Sequence, residues 1–299
     1  MDLAGLSLMI VFAFGSNLHL DDLAAWCRRR GFDPRSIALR EPAWLPDMEP
    51  VYHYRSRTRG GGALDVRPRR GGAVPGALLD ATPEGWAALD AKEGHPHVYQ
   101  RATCHVLTRG GAEVTATTYL VTAPYRQDLL VPPTDHYRGL VRDGLGALGM
   151  PSAPQEAAAE GRPRTFPAYL FVYGTLRPGR AEAARLAPFG PRRATPATIP
   201  GRLVDLGAFP GLVAEEGRVE GALVELTDLG PALEALDAYE DFMGYGRPGS
   251  LYRRVVREAR TLDGRRVHAW TYLYLGSVDG ARRLTAWPAT GGPSRGSRS

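Results

Sequence analysis

An internal repeat is the feature of this 299-residue sequence that most constrains its fold. Two segments each begin with an apolar run that ends in a glycine turn, and four further landmarks follow in the same order. The first copy contains Ile10-Val-Phe-Ala-Phe-Gly-Ser-Asn17, Val74-Pro-Gly-Ala-Leu-Leu79, Ala88-Leu-Asp-Ala-Lys-Glu93, Tyr99-x-Arg101 and Thr118-Tyr119. The second contains Tyr169-Leu-Phe-Val-Tyr-Gly-Thr-Leu176, Val219-Glu-Gly-Ala-Leu-Val224, Ala235-Leu-Asp-Ala-Tyr-Glu240, Tyr252-x-Arg254 and Thr271-Tyr272. Because such an ordered series is hard to produce by chance, we predict two copies of one small domain.

Composition divides the sequence around the two copies. Residues 151–164 are rich in Ala, Pro, Glu and Gly, as interdomain linkers often are. Residues 288–299 are mostly Gly, Pro, Ser and Arg, which bury little apolar surface. We therefore predict a first domain over 1–150, a linker over 151–164, a second domain over 165–287 and a disordered tail over 288–299. Each domain has a normal size for a single core.

Strand-like segments dominate each copy. Apolar and polar residues alternate over 114–121 and 267–274, and hairpin-like strand pairs outnumber crossover helices. This pattern predicts an α+β fold in which each copy forms a small, mixed, barrel-like sheet with flanking helices. A doubly wound parallel sheet is disfavoured.

Composition and charge argue against several classes of protein. The longest N-terminal apolar run, Leu6 to Phe14, is too short to span a bilayer and has no basic residue before it, so we expect a first strand rather than a membrane anchor or a secretory signal. The formal charge of +5 is spread over scattered arginines, so we expect no nucleic-acid partner. Cys27 and Cys104 are the only cysteines and form no CxxC motif, which favours the reducing cytoplasm.

The repeated glycine turn and the repeated glutamate are the candidate functional features. Consecutive backbone N–H groups at a glycine turn can hold a carboxylate or an oxyanion, although such turns are more often structural. Glu93 and Glu240 each end a predicted helix, where the helix dipole disfavours a negative charge and thereby suits a group that takes up protons. A lone glutamate is usually a solvated surface residue, but its recurrence in the same frame before Tyr-x-Arg makes a catalytic role equally plausible.

Metal, nucleotide and covalent mechanisms have no motif to support them. His95 and His97 flank a proline without a third ligand at usable spacing, and the second copy has no histidine at the matching place, 242–246. Neither cysteine has a counterpart in the other copy, and no Walker motif is present. The letters GxGxxG occur at 144–149 and GxSxG at 292–296, but neither run directly follows a predicted strand, as a nucleotide-binding turn or a nucleophile elbow would. We therefore expect no metal and no cofactor.

These landmarks together resemble a tandem arrangement of the γ-glutamylcyclotransferase superfamily. The first copy is similar to γ-glutamylcyclotransferase in Phe12 to Asn17, Gly61 to Ala63, Val74 to Gly76, Asp90 to Gly94 and Pro132-Pro-Thr-Asp-His-Tyr137. The second is more similar to the γ-glutamylamine cyclotransferase and avirulence-induced-gene-like branch in Tyr173 to Gly179, Gly207 to Gly211 and Glu240. The matches cover nearly everything except the linker and the tail.

The resemblance implies a cofactor-free reaction of the acyltransferase or lyase type on a small molecule. The α-amine of a γ-glutamyl amide or γ-glutamyl amino acid attacks its own γ-carbonyl, 5-oxoproline forms, and the amine leaves. Because the attack is intramolecular, positioning can supply effective molarities of roughly 10⁵–10⁸ M. One glutamate can then act as base and acid, while turn N–H groups stabilise the oxyanion.

Residue roles follow from the same resemblance. It implies that the acid/base residues are Glu93 and Glu240, and that the substrate-binding residues are Val11, Phe12, Ala13, Phe14, Gly15, Ser16 and Tyr137 in the first copy and Tyr173, Gly174, Thr175 and Leu176 in the second. Two departures stand out. Phe14 replaces the tyrosine usual before Gly-Ser-Asn, whereas Tyr173 retains it, and no counterpart of Tyr137 follows Tyr274. Each departure could therefore weaken the activity of the copy in which it occurs.

Two other functions remain open at this stage. The same chemistry would serve to remove a γ-glutamyl protecting group from a specialised metabolite, which the gene neighbourhood would distinguish. A non-catalytic module that binds a γ-glutamyl ligand is the third hypothesis, because small folds can outlive their chemistry. The doubling also leaves open an intramolecular pairing of the two domains that resembles a dimer.

Overall fold

A computed structural model describes residues 8–207 and 209–287. The chain divides into two compact units, Met1–Phe166 (unit 1) and Pro167–Ser299 (unit 2). Each unit contains one copy of the repeat. The predicted tail over 288–299 lies outside the described residues.

Unit 1 alternates long strands with short helices. Over the part of this unit that the structure describes, the elements are β1 (Met9–Ala13), α1 (Leu20–Arg30), β2 (Ile37–Ser56), β3 (Gly61–Ala81), α2 (Pro83–Glu93), β4 (Tyr99–Thr108), β5 (Glu113–Val121), α3 (Asp135–Ala147) and α4 (Ala153–Ala159). Short 3₁₀ turns occupy Ser16–Leu18, Pro34–Ser36 and Ala123–Tyr125. The strands form a closed barrel in the order β1-β3-β2-β4-β5. A parallel pairing of β1 with β5, at Val11 and Thr117, closes the ring.

Unit 2 repeats this topology. Its described elements are β6 (Tyr169–Val172), a 3₁₀ segment (Ala183–Phe189), β7 (Pro191–Asp205), β8 (Pro210–Leu226), α5 (Leu229–Tyr239), β9 (Tyr252–Thr261), β10 (Arg266–Tyr274) and β11 (Arg282–Leu284). The sheet order is β11-β7-β8-β6-β10-β9, and β7 also pairs with β9. As in unit 1, the first strand of the copy pairs in parallel with the last strand of the ring, here β6 with β10. The α+β prediction with two barrel-like sheets is confirmed.

One repeated glycine allows two strands of each barrel to approach closely. A Cβ on Gly76 would lie 2.2 Å from the carbonyl oxygen of Ala13, and a Cβ on Gly221 would lie 2.4 Å from that of Val172. These distances are far below van der Waals contact, so only glycine fits without moving a strand. The glycine of the Gly-Ala-Leu landmark therefore fixes the first strand of each copy just before the glycine turn.

The helix that precedes each repeated glutamate ends at a defined position. In α2, Thr82 caps the N-terminus by accepting a hydrogen bond from the backbone N–H of Gly85 (3.2 Å), and Gly94 ends the helix in the left-handed conformation at φ 65°. Glu93 is consequently the last residue of α2. In unit 2, Glu240 is the C-cap of α5, and Asp241 follows in the left-handed region at φ 51°. Both glutamates thus lie at helix C-termini.

The predicted linker differs from the structure over part of its length. Ala153–Ala159 form α4, and Gln155 in this helix is 2% exposed and donates a hydrogen bond to the carbonyl oxygen of Pro75 (3.1 Å). This segment belongs to unit 1, because its small apolar face packs against β2. Among the described residues, no helix combines the length and the apolar character needed to cross a bilayer.

Candidate active site

The glycine turn and the C-terminal end of α2 meet in unit 1. Asn17, in the 3₁₀ turn after β1, donates a hydrogen bond from Nδ2 to Oε1 of Glu93 (2.8 Å), and its Oδ1 accepts one from Nζ of Lys92. Residues 76 positions apart in the chain are therefore joined at one point. The predicted acid/base glutamate lies directly beside the predicted binding turn.

A cavity of about 490 Å³ opens at this junction. It is lined by every substrate-binding residue predicted for the first copy and by Glu93. Its walls also carry the cationic side chains of Arg29, Arg30, Arg59 and Lys92, together with several tyrosines. The volume lies within the range of about 300–1,000 Å³ that is typical of small-molecule sites.

Arg59 braces the glycine turn from the β2–β3 hairpin. Its Nη2 donates to Oγ of Ser16 (3.2 Å) and to Oδ2 of Asp22 (2.8 Å), and its guanidinium lies over the ring of Tyr137 (5.9 Å). Burial raises the pKa of the Asp22 carboxyl, but the hydrogen bond and charge of Arg59 outweigh it, so the pKa is below its ordinary value. Asp22 thus stays ionised and holds Arg59 against the turn.

Two tyrosine hydroxyls bind the backbone of Leu64 in β3. Tyr137, from α3, accepts from the N–H of Leu64, and Tyr99, from β4, donates to its carbonyl oxygen, both at 3.2 Å. A Cβ on Gly15 would lie 3.1 Å from the Tyr137 hydroxyl, so this hydroxyl also faces the glycine turn. Burial raises the pKa of Tyr137 to about 12, which keeps the phenol neutral near pH 7.

An Asp–Tyr–Arg cluster anchors α2 to the barrel one helical turn before Glu93. Oδ1 of Asp90 accepts from the hydroxyl of Tyr119 (2.7 Å) and from Nε of Arg101 (2.9 Å). Burial raises the pKa of Asp90, but hydrogen bonds from Arg101 and Tyr119 outweigh it and hold the pKa below its ordinary value. Because Asp90 lies three residues before Glu93, the cluster fixes the last turn of α2 against β4 and β5.

Unit 2 contains the same cluster in a more buried form. Oδ1 of Asp237 accepts from the hydroxyl of Tyr272 (2.7 Å) and lies 3.5 Å from Nε of Arg254, which is fully buried and lies over the ring of Trp270 (4.9 Å). The repeated Leu-Asp-Ala, Tyr-x-Arg and Thr-Tyr landmarks are therefore three parts of one contact. Their shared role is to position the helix that carries the glutamate.

The cavity of unit 2 is much smaller. It has a volume of about 40 Å³, and most of its other lining side chains are aromatic. The predicted site residues that line it are Tyr173, Gly174, Thr175, Leu176 and Glu240. Since one water molecule needs about 10–15 Å³ of such space, the cavity holds only a few waters. A Cβ on Gly174 would lie 2.7 Å from Cγ of Pro210, which shows how closely β8 approaches this turn.

The tyrosine that distinguishes the second turn has a structural partner. The hydroxyl of Tyr173 donates to the carbonyl oxygen of Tyr272 (2.9 Å), so it ties the turn to β10. In this structure the retained hydroxyl is used within the barrel of unit 2. The hydroxyl missing at Phe14 therefore does not by itself mark unit 1 as the weaker site.

Within residues 8–207 and 209–287, no group of three His, Cys, Asp or Glu side chains is arranged to hold a metal ion. His95 lies with its ring near that of Tyr119, with centroids 6.4 Å apart. Cys27 is buried and Cys104 is half-buried, and both are free thiols. Burial raises the pKa of both thiols, to about 12 for Cys104.

Comparison with known proteins identifies the family. The model of the family described as "Gamma-glutamyl cyclotransferase, AIG2-like" matches residues 11–139 and 170–289, one match in each copy of the repeat. The chain belongs to this family. A γ-L-glutamyl-butirosin B γ-glutamyl cyclotransferase from Niallia circulans is 34% identical over 118 residues, which cover 37% of this chain and 69% of the relative.

Solved structures of other proteins are similar to parts of the chain. One titled γ-glutamyl cyclotransferase is 23% identical, has a TM-score of 0.45, and covers 54% of this chain and 92% of its own. YkqA from Bacillus subtilis is 17% identical, has a TM-score of 0.35, and covers 90% of this chain and 85% of its own.

Several residues around the cavity of unit 1 were not predicted from the sequence. Asn17 was recognised as part of the turn but not as a partner of Glu93, and neither Lys92 nor Arg59 was singled out for the site. The only signal that could have found Lys92 was its status as the sole lysine of the sequence. Arg59 is one of several arginines in a charged hairpin, so no local pattern distinguishes it.

Proposed function

We propose that this chain is a γ-glutamyl cyclotransferase that releases 5-oxoproline from γ-glutamyl amides or γ-glutamyl amino acids, and that unit 1 carries the activity. The observation that carries the proposal is the 2.8 Å contact between Asn17 Nδ2 and Glu93 Oε1 at the wall of the 490 Å³ cavity. An acid/base group beside a backbone turn in a ligand-sized cavity is what this intramolecular reaction requires.

In the proposed reaction, Glu93 removes a proton from the substrate's α-ammonium group. The freed α-nitrogen attacks the γ-carbonyl carbon, a new C–N bond closes the five-membered ring, and the carbonyl oxygen becomes an oxyanion. The carbonyl double bond then re-forms and the bond to the leaving amine breaks as Glu93 returns this first proton to the leaving nitrogen. Glu93 also carries the second proton of the ring nitrogen to the departing amine, so the lactam nitrogen keeps one hydrogen and the amine leaves as an ammonium. Neither water nor an oxidant is consumed, and Glu93 ends in its starting state.

The remaining contacts support substrate positioning. The turn at Gly15 and Ser16 lines the cavity, where glycine turns of this kind suit a carboxylate or an oxyanion, and the neutral hydroxyl of Tyr137 hydrogen-bonds to the backbone of Ser16. Arg59 supplies positive charge beside the same turn. A substrate with an α-carboxylate matches this charge.

A substrate panel with matched variants tests the proposal. Wild type, Glu93→Gln and Glu240→Gln are incubated with γ-glutamyl amino acids, γ-glutamyl amines and glutathione, and 5-oxoproline is measured. Glu84→Gln, at the other end of α2, and Glu234→Gln, on the exposed face of α5, are the controls. We expect only Glu93→Gln to abolish release. If the double variant Glu93→Gln, Glu240→Gln matches wild type on every substrate, the proposal is wrong.

Removal of a γ-glutamyl protecting group from a specialised metabolite is the second candidate. It is favoured by the relative from Niallia circulans, whose name states γ-L-glutamyl-butirosin B as its substrate. Including that compound in the panel separates the two candidates. The third hypothesis, a binding module, predicts saturable binding of a γ-glutamyl ligand by wild type without any 5-oxoproline.

A further inference from the structure

Asn17 lies between two side chains of opposite charge in unit 1. Nζ of Lys92 donates to its Oδ1, and its Nδ2 donates to Oε1 of Glu93 at 2.8 Å. An ammonium group can only donate, so the amide oxygen of Asn17 must face Lys92. The amide N–H group must then face Glu93, whose Oε1 must accept. The ammonium and the carboxylate therefore hold the amide in one orientation, and the ammonium continues to do so when Glu93 is protonated.

We propose that Lys92 is a positioning residue that acts on Glu93 through Asn17. By fixing the amide, it keeps an N–H group on Oε1 of Glu93 and leaves Oε2 as the oxygen that exchanges the proton with substrate. Without Lys92, only the carboxylate orients the amide, and once Glu93 takes up a proton the amide can turn by 180° and accept a hydrogen bond from the carboxylic acid. The inference rests on the proposed function of unit 1 and adds a residue that the reaction itself does not identify.

Burying the ammonium of Lys92 at this place costs free energy unless the ammonium has a hydrogen-bond partner. Lys92 is half-buried at the cavity wall, and charged or titratable groups face it from three elements: Glu93 on α2, Asp22 and the thiol of Cys27 on α1, and Arg59 on the β2–β3 hairpin. Burial lowers the pKa of the Lys92 ammonium, and Arg59 acts in the same direction, while Glu93 opposes both. Ammonium groups are seldom placed in such sites without a specific partner, and here that partner is Asn17.

Unit 2 differs at both ends of this contact. The residues that match Asn17 and Lys92 in the repeat are Leu176 and Tyr239. Leucine has no polar side-chain atom, and Tyr239 instead hydrogen-bonds to Thr175 and lies under the guanidinium of Arg185, 4.3 Å away. A Lys–Asn–Glu relay therefore cannot form in unit 2. Unit 2 lacks both the asparagine and the lysine, which is expected if Lys92 and Asn17 act as a pair.

A double-mutant cycle on the full chain tests the inference. The variants are Lys92→Met, Lys92→Arg, Asn17→Leu and the double variant Asn17→Leu, Lys92→Met. Arg142→Met, which removes an exposed cation on α3, is the control. Steady-state assays that detect 5-oxoproline give kcat and KM on the best substrate, and circular dichroism verifies folding. If Lys92→Met is unfolded at the assay temperature, Lys92→Gln, a neutral donor, takes its place in the cycle.

We expect Lys92→Met to lower kcat by about 10- to 100-fold, as for a lost hydrogen bond to a charged group, with KM changed by less than about threefold. Lys92→Arg should retain kcat within about threefold, and Lys92→Met should cost nothing further in the Asn17→Leu background. Wild-type kcat in Lys92→Met, or losses that multiply in the double variant, overturn the inference while leaving the proposed function intact. No 5-oxoproline from wild type on any substrate overturns both.

Discussion

Replacing Gly76 with alanine is expected to displace β1 and, with it, the binding turn of unit 1. The added Cβ would lie 2.2 Å from the carbonyl oxygen of Ala13 and 2.6 Å from Cζ of Phe12. Carbon atoms in contact normally stay about 3.5–4.0 Å apart, so the strand must move by roughly 1 Å. Overpacking of this kind costs about 1–3 kcal/mol, and a 1 Å misplacement of a catalytic group can cost about 100-fold in rate.

Thermal unfolding and 5-oxoproline release measure the two effects separately. With about 2–4 °C per kcal/mol for a domain of this size, the melting temperature of unit 1 should fall by roughly 2–12 °C. Gly221→Ala is the matched variant, because its Cβ would lie 2.4 Å from the carbonyl oxygen of Val172 in unit 2. It should destabilise unit 2 while leaving the rate unchanged. Gly146→Ala, on α3 with nothing within 4 Å, should keep the rate and gain up to about 1 kcal/mol.

Two results would refute this reasoning. If Gly76→Ala melts with wild type and keeps its kcat/KM, the close approach of β1 and β3 does not control the turn. If Gly221→Ala removes activity and Gly76→Ala does not, the active unit is unit 2 rather than unit 1.

Three further outcomes follow from the contacts of unit 1. Hydrogen bonds hold the pKa of Asp90 below its ordinary 3.8, so the folded state binds that proton less tightly than the unfolded chain does. The resulting stabilisation is present above about pH 3.8 and is lost as the pH falls through the lower folded value. Asp90→Asn should therefore flatten the decline of the unfolding free energy in acid, measured by urea denaturation. Tyr137→Phe leaves the buried N–H of Leu64 without its acceptor and should lower kcat/KM by roughly 10-fold. Because burial raises the pKa of Tyr137 to about 12, the wild-type pH–rate profile should show no ionisation of this tyrosine up to about pH 10. Arg29→Gln, Arg30→Gln should raise KM by roughly 2- to 20-fold for substrates whose leaving amine carries a carboxylate, and added salt should shrink this difference; an unchanged KM would show that the two cations do not contact substrate.

The fold was predictable because its signals are local and repeated. Alternating residues over 114–121 and 267–274 predict strands, and they form β5 and β10. The helix α4 was not predictable in the same way, because the Ala, Pro and Glu residues of 153–159 suit either a helix or a linker. What decides the outcome is the buried contact of Gln155 with Pro75, two residues 80 positions apart, and no local pattern reports such a contact.

The residues of the candidate site were predictable where the repeat or the family resemblance marked them. Glu93 and the turn at Gly15 recur in the second copy and were singled out as candidates, whereas Arg59 was not. Arg59 hydrogen-bonds to Ser16, which lies 43 residues away in the sequence. Its hairpin contains other arginines, and the sequence does not indicate which of them is buried against the turn. Because the barrel closure brings this hairpin over the turn, the role of Arg59 depends on three-dimensional packing.

The repeat itself separates architecture from chemistry. Asp90, Tyr119 and Arg101 recur as Asp237, Tyr272 and Arg254, and in both units they attach the glutamate-bearing helix to the barrel. These residues that match between the two copies therefore have a structural role in both units. The residues that differ, Asn17 with Lys92 against Leu176 with Tyr239, surround the glutamate itself and accompany cavities of about 490 and 40 Å³. Duplication preserved the scaffold that presents a glutamate in each unit, and the unmatched neighbours make unit 1 the better candidate for catalysis.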